Sequence, residues 1–174
     1  INNILNALQT KLNQKNKKIT YKKSNEEVKE KKIYTKLLIE EELIRLCFAN
    51  SSETRKYIYD NMNTSWLTSN DIICIFDKIY IHLFANSPPE AGLIMDELTD
   101  KNHRNRLAEI ILNLDKMDTS IDSAYGCIKR LNENWINSKL NILRERLKII
   151  HDTDKDPISL MKEIDALQKQ KQKC

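Results

Sequence analysis

The residues of this chain that could do chemistry are scattered. His82, His103 and His151 each stand more than twenty positions from the next, and no two have the three- or four-residue spacing that brings metal ligands together on one helix face. Cys47, Cys74, Cys127 and Cys174 include no Cys-x-x-Cys pair, so neither a zinc site nor a disulfide framework is expected. The first three fall on apolar helical faces and read as buried, reduced thiols. Glu40-Glu41-Glu42 and Asp96-Glu97 offer carboxylates to a cation, but neighbours on a helix diverge by about 100°, and the expected reading is a solvated face. Gly92 and Gly126 form no phosphate-cradling loop; both lie inside helical patterns, where close helix packing is the expected reason for glycine. Trp66 and Trp135 read as packing residues or as the lining of an interaction groove. No nucleophile stands beside a base, and no paired carboxylates or metal constellation emerge. No catalytic, cofactor-binding or metal-ligating residue is therefore expected.

What remains is a chain built to present surfaces. Its 174 residues are 40% hydrophobic and 31% charged, with two glycines and three prolines. So little Gly and Pro argues against β-hairpins, and abundant Lys, Glu, Leu and Ile at 3–4 spacing predict an all-α fold. No apolar run reaches the length of a membrane span, and the start lacks the order of a signal peptide, so a cytoplasmic location is expected. The chain begins at Ile1 rather than Met, which suggests a piece of a longer protein. Residues 1–36 hold ten lysines against Glu26, Glu27 and Glu30, a net +7 that leaves −3 for the other 138 residues. Within 1–34, Ile1, Ile4, Leu5, Leu8 and Leu12 could form a short amphipathic helix, and the Lys/Asn/Glu-rich stretch after it reads as a linker. Its lysines could make weak contact with nucleic-acid phosphates through residues 11–36, although only Tyr21 and Tyr34 supply the aromatic interleaving of a single-strand binder.

From Thr35 the helix signals divide 35–135 into a bundle. A first helix spans about Tyr34 to Ala49, with Leu38, Leu43, Ile44, Leu46, Cys47 and Phe48 apolar and Arg45 facing out. Ser52 caps a second, carrying Ile58 and Met62. Thr68 and Asp71 fit a capping box before a third, whose Ile72, Ile73, Ile75, Phe76, Ile79, Tyr80, Leu83 and Phe84 predict the central helix. Pro88-Pro89 suits the first turn of a fourth, with Leu93, Ile94 and Leu98. Asp100 or Thr99 caps a fifth, with Leu107, Ile110, Ile111 and Leu114. Asp118-Thr119-Ser120 offers several N-caps for a long helix running to about His151.

That long helix carries Ile121, Ala124, Ile128, Leu131 and Trp135 on one face. In its second half Ile142 and Ile149 continue the face, while Leu140, Leu143, Leu147 and Ile150 open another. Pro157 then starts a last helix with Leu160, Met161, Ile164 and Leu167 on one side. The segments 136–151 and 157–172 are both about 24 Å long as helices, and the turn between them is short. A C-terminal antiparallel hairpin over 136–174 is predicted, relying on the shared long helix for rigidity.

Glu42-Leu43-Ile44-Arg45-Leu46-Cys47-Phe48-Ala49-Asn50, the Trp66-to-Phe84 segment, the Ala108-Glu109-Ile110-Ile111 helix and the Ser120-to-Ile150 rod resemble the C-terminal, helicase-binding domain of bacterial DNA primase. The resemblance covers about Thr35 to Lys173 and rests on the order and spacing of apolar positions. It implies a helical bundle followed by a helical hairpin, the hairpin docking on the N-terminal collar of the hexameric replicative helicase. On the matching hairpin, Leu160, Met161, Ile164 and Leu167 are the apolar contact candidates and Lys169 and Lys171 the rim charges. The alternative is that the apolar four simply pair with Leu143, Leu147 and Ile150. Two other functions stay open: an N-terminal oligomerisation domain of a replicative helicase, and a helical nucleic-acid-binding module. A short hinge and a long shared rod would also permit swapping of the terminal helices between chains.

Overall fold

The structure, a computed structural model, describes residues 35–85, 87–112, 118–149 and 157–173. The fold is all-α as expected: the described residues form seven α-helices and one 3-10 turn, and no strand occurs among them. Helix α1 covers 35–47. It is followed by α2 (Ser52–Asn61), a 3-10 turn (Thr64–Trp66), α3 (Asn70–Tyr80), α4 (Ala91–Glu97), α5 (Lys101–Ile111), α6 (Ile121–Ile149) and α7 (Pro157–Lys173). None of these is long and apolar enough to cross a membrane. The basic segment 1–34 with its expected short helix, and the positions Leu114, Ile150 and His151, lie outside the described residues.

The core follows the helical periods. Leu43, Ile44, Leu46 and Cys47 of α1 meet Ile58 of α2, Ile72, Ile75, Phe76 and Ile79 of α3, Ile94 of α4, and Leu107 and Ile110 of α5. Ala124, Cys127, Ile128 and Leu131 of α6 close the cluster. Each fully buried Ile, Leu or Phe stabilises the fold by roughly 1.5–3 kcal/mol, and α3 contributes four of them, Ile72, Ile75, Phe76 and Ile79. Burial pushes the Cys127 thiol up to about 12, with Glu42 adding to the effect. It raises Cys47 as well, helped by Cys127 beside it. Both are free thiols and behave as core residues.

The three consecutive glutamates of α1 do not form a solvated face. Glu40 and Glu41 are buried, and the 100° divergence between neighbours sends each carboxylate to a different helix. Glu40 sits at the start of α3, where it accepts from the Thr68 amide (2.7 Å), the Thr68 hydroxyl (2.5 Å) and the Ser69 amide (3.0 Å). Glu41 accepts from Arg45 (3.1 Å) and from Arg106 of α5. Glu42 pairs with Arg130 of α6 at 2.5 Å. Arg45 therefore does not face out: it lies against Glu41 and donates Nε to the Ile110 carbonyl at 3.2 Å.

Glu40 also corrects the expected capping box. Ser69 is the N-cap of α3 and makes no side-chain cap bond; the carboxylate from α1 takes the Thr68 and Ser69 amides just ahead of the helix. An anion placed there also meets the positive end of the helix dipole. Asp71, the other half of the predicted box, pairs with His103 at 3.3 Å.

A second buried charge closes the opposite end of the bundle. Arg55 is fully buried. Its guanidinium donates to the carbonyls of Ala49 (2.5 Å), Asn50 (3.1 Å) and Ala85 (3.2 Å), fastening the segment after α1 to the one after α3. Both segments carry backbone acceptors that their helices leave unsatisfied.

Other helix ends differ by a residue or two from expectation. Ser51, not Ser52, caps α2, accepting from the Thr54 amide at 3.2 Å. Helix α3 stops at Tyr80, and Ile81 and Phe84 are each 71% exposed, so the apolar run outlasts the helix and the core. Pro88 and Pro89 precede α4 instead of entering it; Glu90 holds the N-cap position. Of the two expected caps of α5, Asp100 and not Thr99 holds the position, accepting from the Asn102 amide at 2.7 Å. An added Cβ at Gly92 or Gly126 would meet nothing within 4 Å, so close packing is not why glycine stands at either.

Two outcomes follow from these caps. Glu40→Ala should lower stability by about 3 kcal/mol, because it leaves two amides and a hydroxyl without their charged acceptor; Thr68→Val, which removes one of the three bonds, should cost about 1 kcal/mol. Urea unfolding midpoints measure both, and equal losses would contradict the capping role. At the start of α6, Asp118 accepts from the hydroxyls of Ser123 and Ser120 (both 2.8 Å) and from the Ser120 amide (3.0 Å). These bonds hold its carboxyl below 3.8, with Ser123 contributing most. Because the folded pKa is depressed, the stabilisation is present above the unfolded value and disappears as pH falls through the folded one. Ser123→Ala should therefore destabilise the chain at about pH 6 and make progressively less difference below about pH 4.

Candidate partner-binding surface on the terminal hairpin

The hairpin is a two-helix seam built on the shared α6. Along α6, Ile136, Leu140 and Leu143 are buried and Leu147 half-buried; along α7, Leu160, Ile164 and Leu167 are half-buried. Spacings of four, three and four residues are those of an antiparallel coiled-coil seam. Lys171 continues it by one more step and donates Nζ to the Asn137 side chain at 2.8 Å. That contact sets the register: Leu140 lies level with Leu167, Leu143 with Ile164 and Leu147 with Leu160. It agrees with the antiparallel match of 136–151 to 157–172 expected from lengths alone.

The six sequence-derived candidates divide accordingly. Leu160, Ile164 and Leu167 occupy the side of α7 turned to α6, where they serve the seam. Met161 is 56% exposed. Lys169 is exposed, and Lys171 is engaged with Asn137.

The outer surface includes residues that sequence reasoning passed over. Ile158 is 61% exposed and Ile142 49%. A shallow, open groove of about 510 Å³ runs along α6, lined by Asn141, Arg144, Glu145, Leu147 and Lys148. The seam register sorts these residues onto two edges. Asn141, Arg144 and Lys148 each follow a seam residue of α6, and Met161 follows a seam residue of α7. In an antiparallel pair positions displaced in the same rotational sense fall on one edge. Ile142 precedes its seam residue and lies on the other edge. A signal for Ile158 was available in the sequence: it stands three positions from Met161, within reach of the same edge.

Elsewhere the chemistry-bearing side chains are tied into structure. His82 meets Glu97 at 3.2 Å and His103 meets Asp71. Among the described residues no group of three or more His, Cys, Asp or Glu could hold a metal ion. Trp66 packs against the core, and Trp135 is half-buried with the Lys139 ammonium 5.7 Å from its ring centre.

The fold and this surface define an all-helical bundle that ends in an antiparallel hairpin. No protein-family model, curated protein or solved structure matches the chain.

The division of α7 into a seam side and an outer side has a direct test. Ile164→Asp should loosen α7 from α6 by about 2 kcal/mol, since it places a carboxylate in an apolar seam. Met161→Asp should stay within about 0.5 kcal/mol of the parent. Amide hydrogen exchange along α7 distinguishes the two, with faster exchange expected for the first variant alone.

Proposed function

We propose that this chain is the helicase-interaction domain of a bacterial DNA primase, noncatalytic in itself, which recruits the primase to the replicative helicase during DNA replication. The observation that carries the reading is the terminal hairpin: α7 turns back along the second half of a 29-residue helix whose first half belongs to the bundle core. A bundle followed by such a hairpin is the organisation that the resemblance to primase helicase-binding domains implies. Support also comes from the exposed apolar side chains on the hairpin, which have the character of a docking surface. In this reading the hairpin engages the N-terminal collar of the helicase hexamer within the primosome, and the bundle biases helicase conformation through its own contacts. Catalysis resides in other parts of the intact primase.

The test is a pull-down against the replicative helicase of the same organism. The parent chain should retain the helicase, and deletion of Pro157 to Cys174 should abolish retention while circular dichroism shows the bundle still helical. Unchanged retention by the truncated chain would sink the proposal. Self-assembly of the chain into rings, read by light scattering, would instead favour a helicase N-terminal domain.

A further inference from the structure

Gly126 stands on the outer side of α6, and nothing inside the chain calls for glycine there. At 100° per residue, Asp122, Gly126, Lys129 and Glu133 fall within about 60° of one another, opposite the buried Ala124, Cys127 and Leu131. Glycine weakens a helix interior relative to alanine, and a Cβ at this position would meet open space. The missing side chain leaves a shallow place where another backbone can come close. Exposed apolar side chains flank it. On one side is Tyr125, 52% exposed, whose ring lies 6.2 Å from that of Tyr57 on α2. On the other is α1, which runs parallel to α6: Cys127 donates to the Ile39 carbonyl at 3.5 Å, and Arg130 pairs with Glu42. That register sets Leu38, 41% exposed, beside Gly126, each one turn ahead of a member of the Glu42–Arg130 pair. Asp122 and Lys129 are both exposed, and neither has an ion-pair partner among the described residues.

We propose that this face of α6 pairs with the same face of a second copy of the chain. The charges select that occupant and its direction. Asp122 and Lys129 stand four residues before and three after Gly126. A two-fold axis between positions 125 and 126 therefore sets each Asp122 against the partner's Lys129 when the two helices run antiparallel. A parallel pairing would set like charge against like. Both ion pairs form at once, because a two-fold interface repeats every contact. At the axis the two Gly126 residues come level, and the helices can approach to the lower end of the usual 8–10 Å. Positions displaced in the same rotational sense fall on one edge of an antiparallel pair. Tyr125 thus meets the partner's Tyr125 on one edge, and Leu38 meets the partner's Leu38 on the other. Asp122 and Lys129 lie about 5 Å from the axis along the helix, within side-chain reach of each other at a crossing of about 50°. The next pair in register, Glu133 and the partner's Asp118, is like-charged, but it lies about 11 Å out, where helices so inclined have diverged. One helix crossing with its flanks is a small interface, so the association is weak. It does not depend on the hairpin or on what the hairpin binds.

Sedimentation equilibrium of the full chain should show monomer passing to dimer between about 10 µM and about 1 mM. Gly126→Leu should weaken the dimer at least about tenfold by holding the helices apart. The same variant should raise the thermal midpoint, because leucine is the better helix former and its Cβ meets no neighbour; a glycine needed by the fold itself would lower it. Asp122→Lys and Lys129→Asp should each weaken the dimer at least about tenfold, since each replaces two attractions by two repulsions. The chain carrying both substitutions should recover it, as should an equal mixture of the two single variants. Circular dichroism checks that every variant is folded, and Ile142→Asp on the hairpin should leave the dimer unchanged. A parent chain that stays monomeric at about 1 mM, or that assembles into rings, overturns the inference. So does a dimer that survives Gly126→Leu, as one made by swapping terminal helices would, or a double variant that fails to recover it.

Discussion

Glu40, Glu41 and Glu42 stand next to one another on α1, and the fold is organised around where their carboxylates go. Each reaches a different neighbour: the start of α3, Arg106 of α5 and Arg130 of α6. A helix rotates about 100° per residue, so three successive residues can address three directions from one turn. The apolar face of α1 supplies burial, and the glutamates supply orientation, since each charge-assisted bond has a preferred geometry that hydrophobic contact lacks. Arg55 does the complementary work at the far end of α1, gathering carbonyls from two segments. The bundle is thus held at both ends by buried or half-buried charge.

The hairpin obeys different rules. Two helices cannot enclose a core, and the seam of α7 is only half-buried. What α7 lacks in burial it recovers from register: apolar positions alternate at four and three along both helices, and Lys171 marks the end of the match at Asn137. Because the seam uses one narrow side of α7, the remaining sides are free to carry Met161 and Ile158 outward without loss of packing.

Much of this was legible in the amino-acid order. Helices α2 to α7 follow from apolar periodicity and from Ser, Asp and Pro at their starts, and the antiparallel hairpin follows from matched lengths. Contacts between residues far apart in the chain were not legible. Nothing local to Thr68 announces that a glutamate twenty-eight positions earlier will cap α3, so the nearby Asp71 was the natural choice and the wrong one. Arg45 and the three glutamates looked solvent-facing because charge usually is, and only their distant partners reverse that reading. On the hairpin the apolar stripe of α7 was correctly located, but a stripe seen alone does not reveal which of its members face α6. Leu160, Ile164 and Leu167 differ from Met161 by rotation, not by type.

Helix α6 belongs to both halves of the molecule. Its first half is clasped by α2 and by the Glu42–Arg130 pair, its second half by α7. Between Ala124 and Leu143 it contains one glycine, Gly126, near the bundle end, and no proline, so the usual sources of a sharp bend are missing from the span where the two halves meet. A helix so built acts as a beam. A pull or twist applied at the hairpin travels along up to about 30 Å of continuous backbone and is delivered to the bundle at Arg130, and through Glu42 to α1. Mechanical load at one end is thereby converted into strain on the same helix that sets the bundle's geometry.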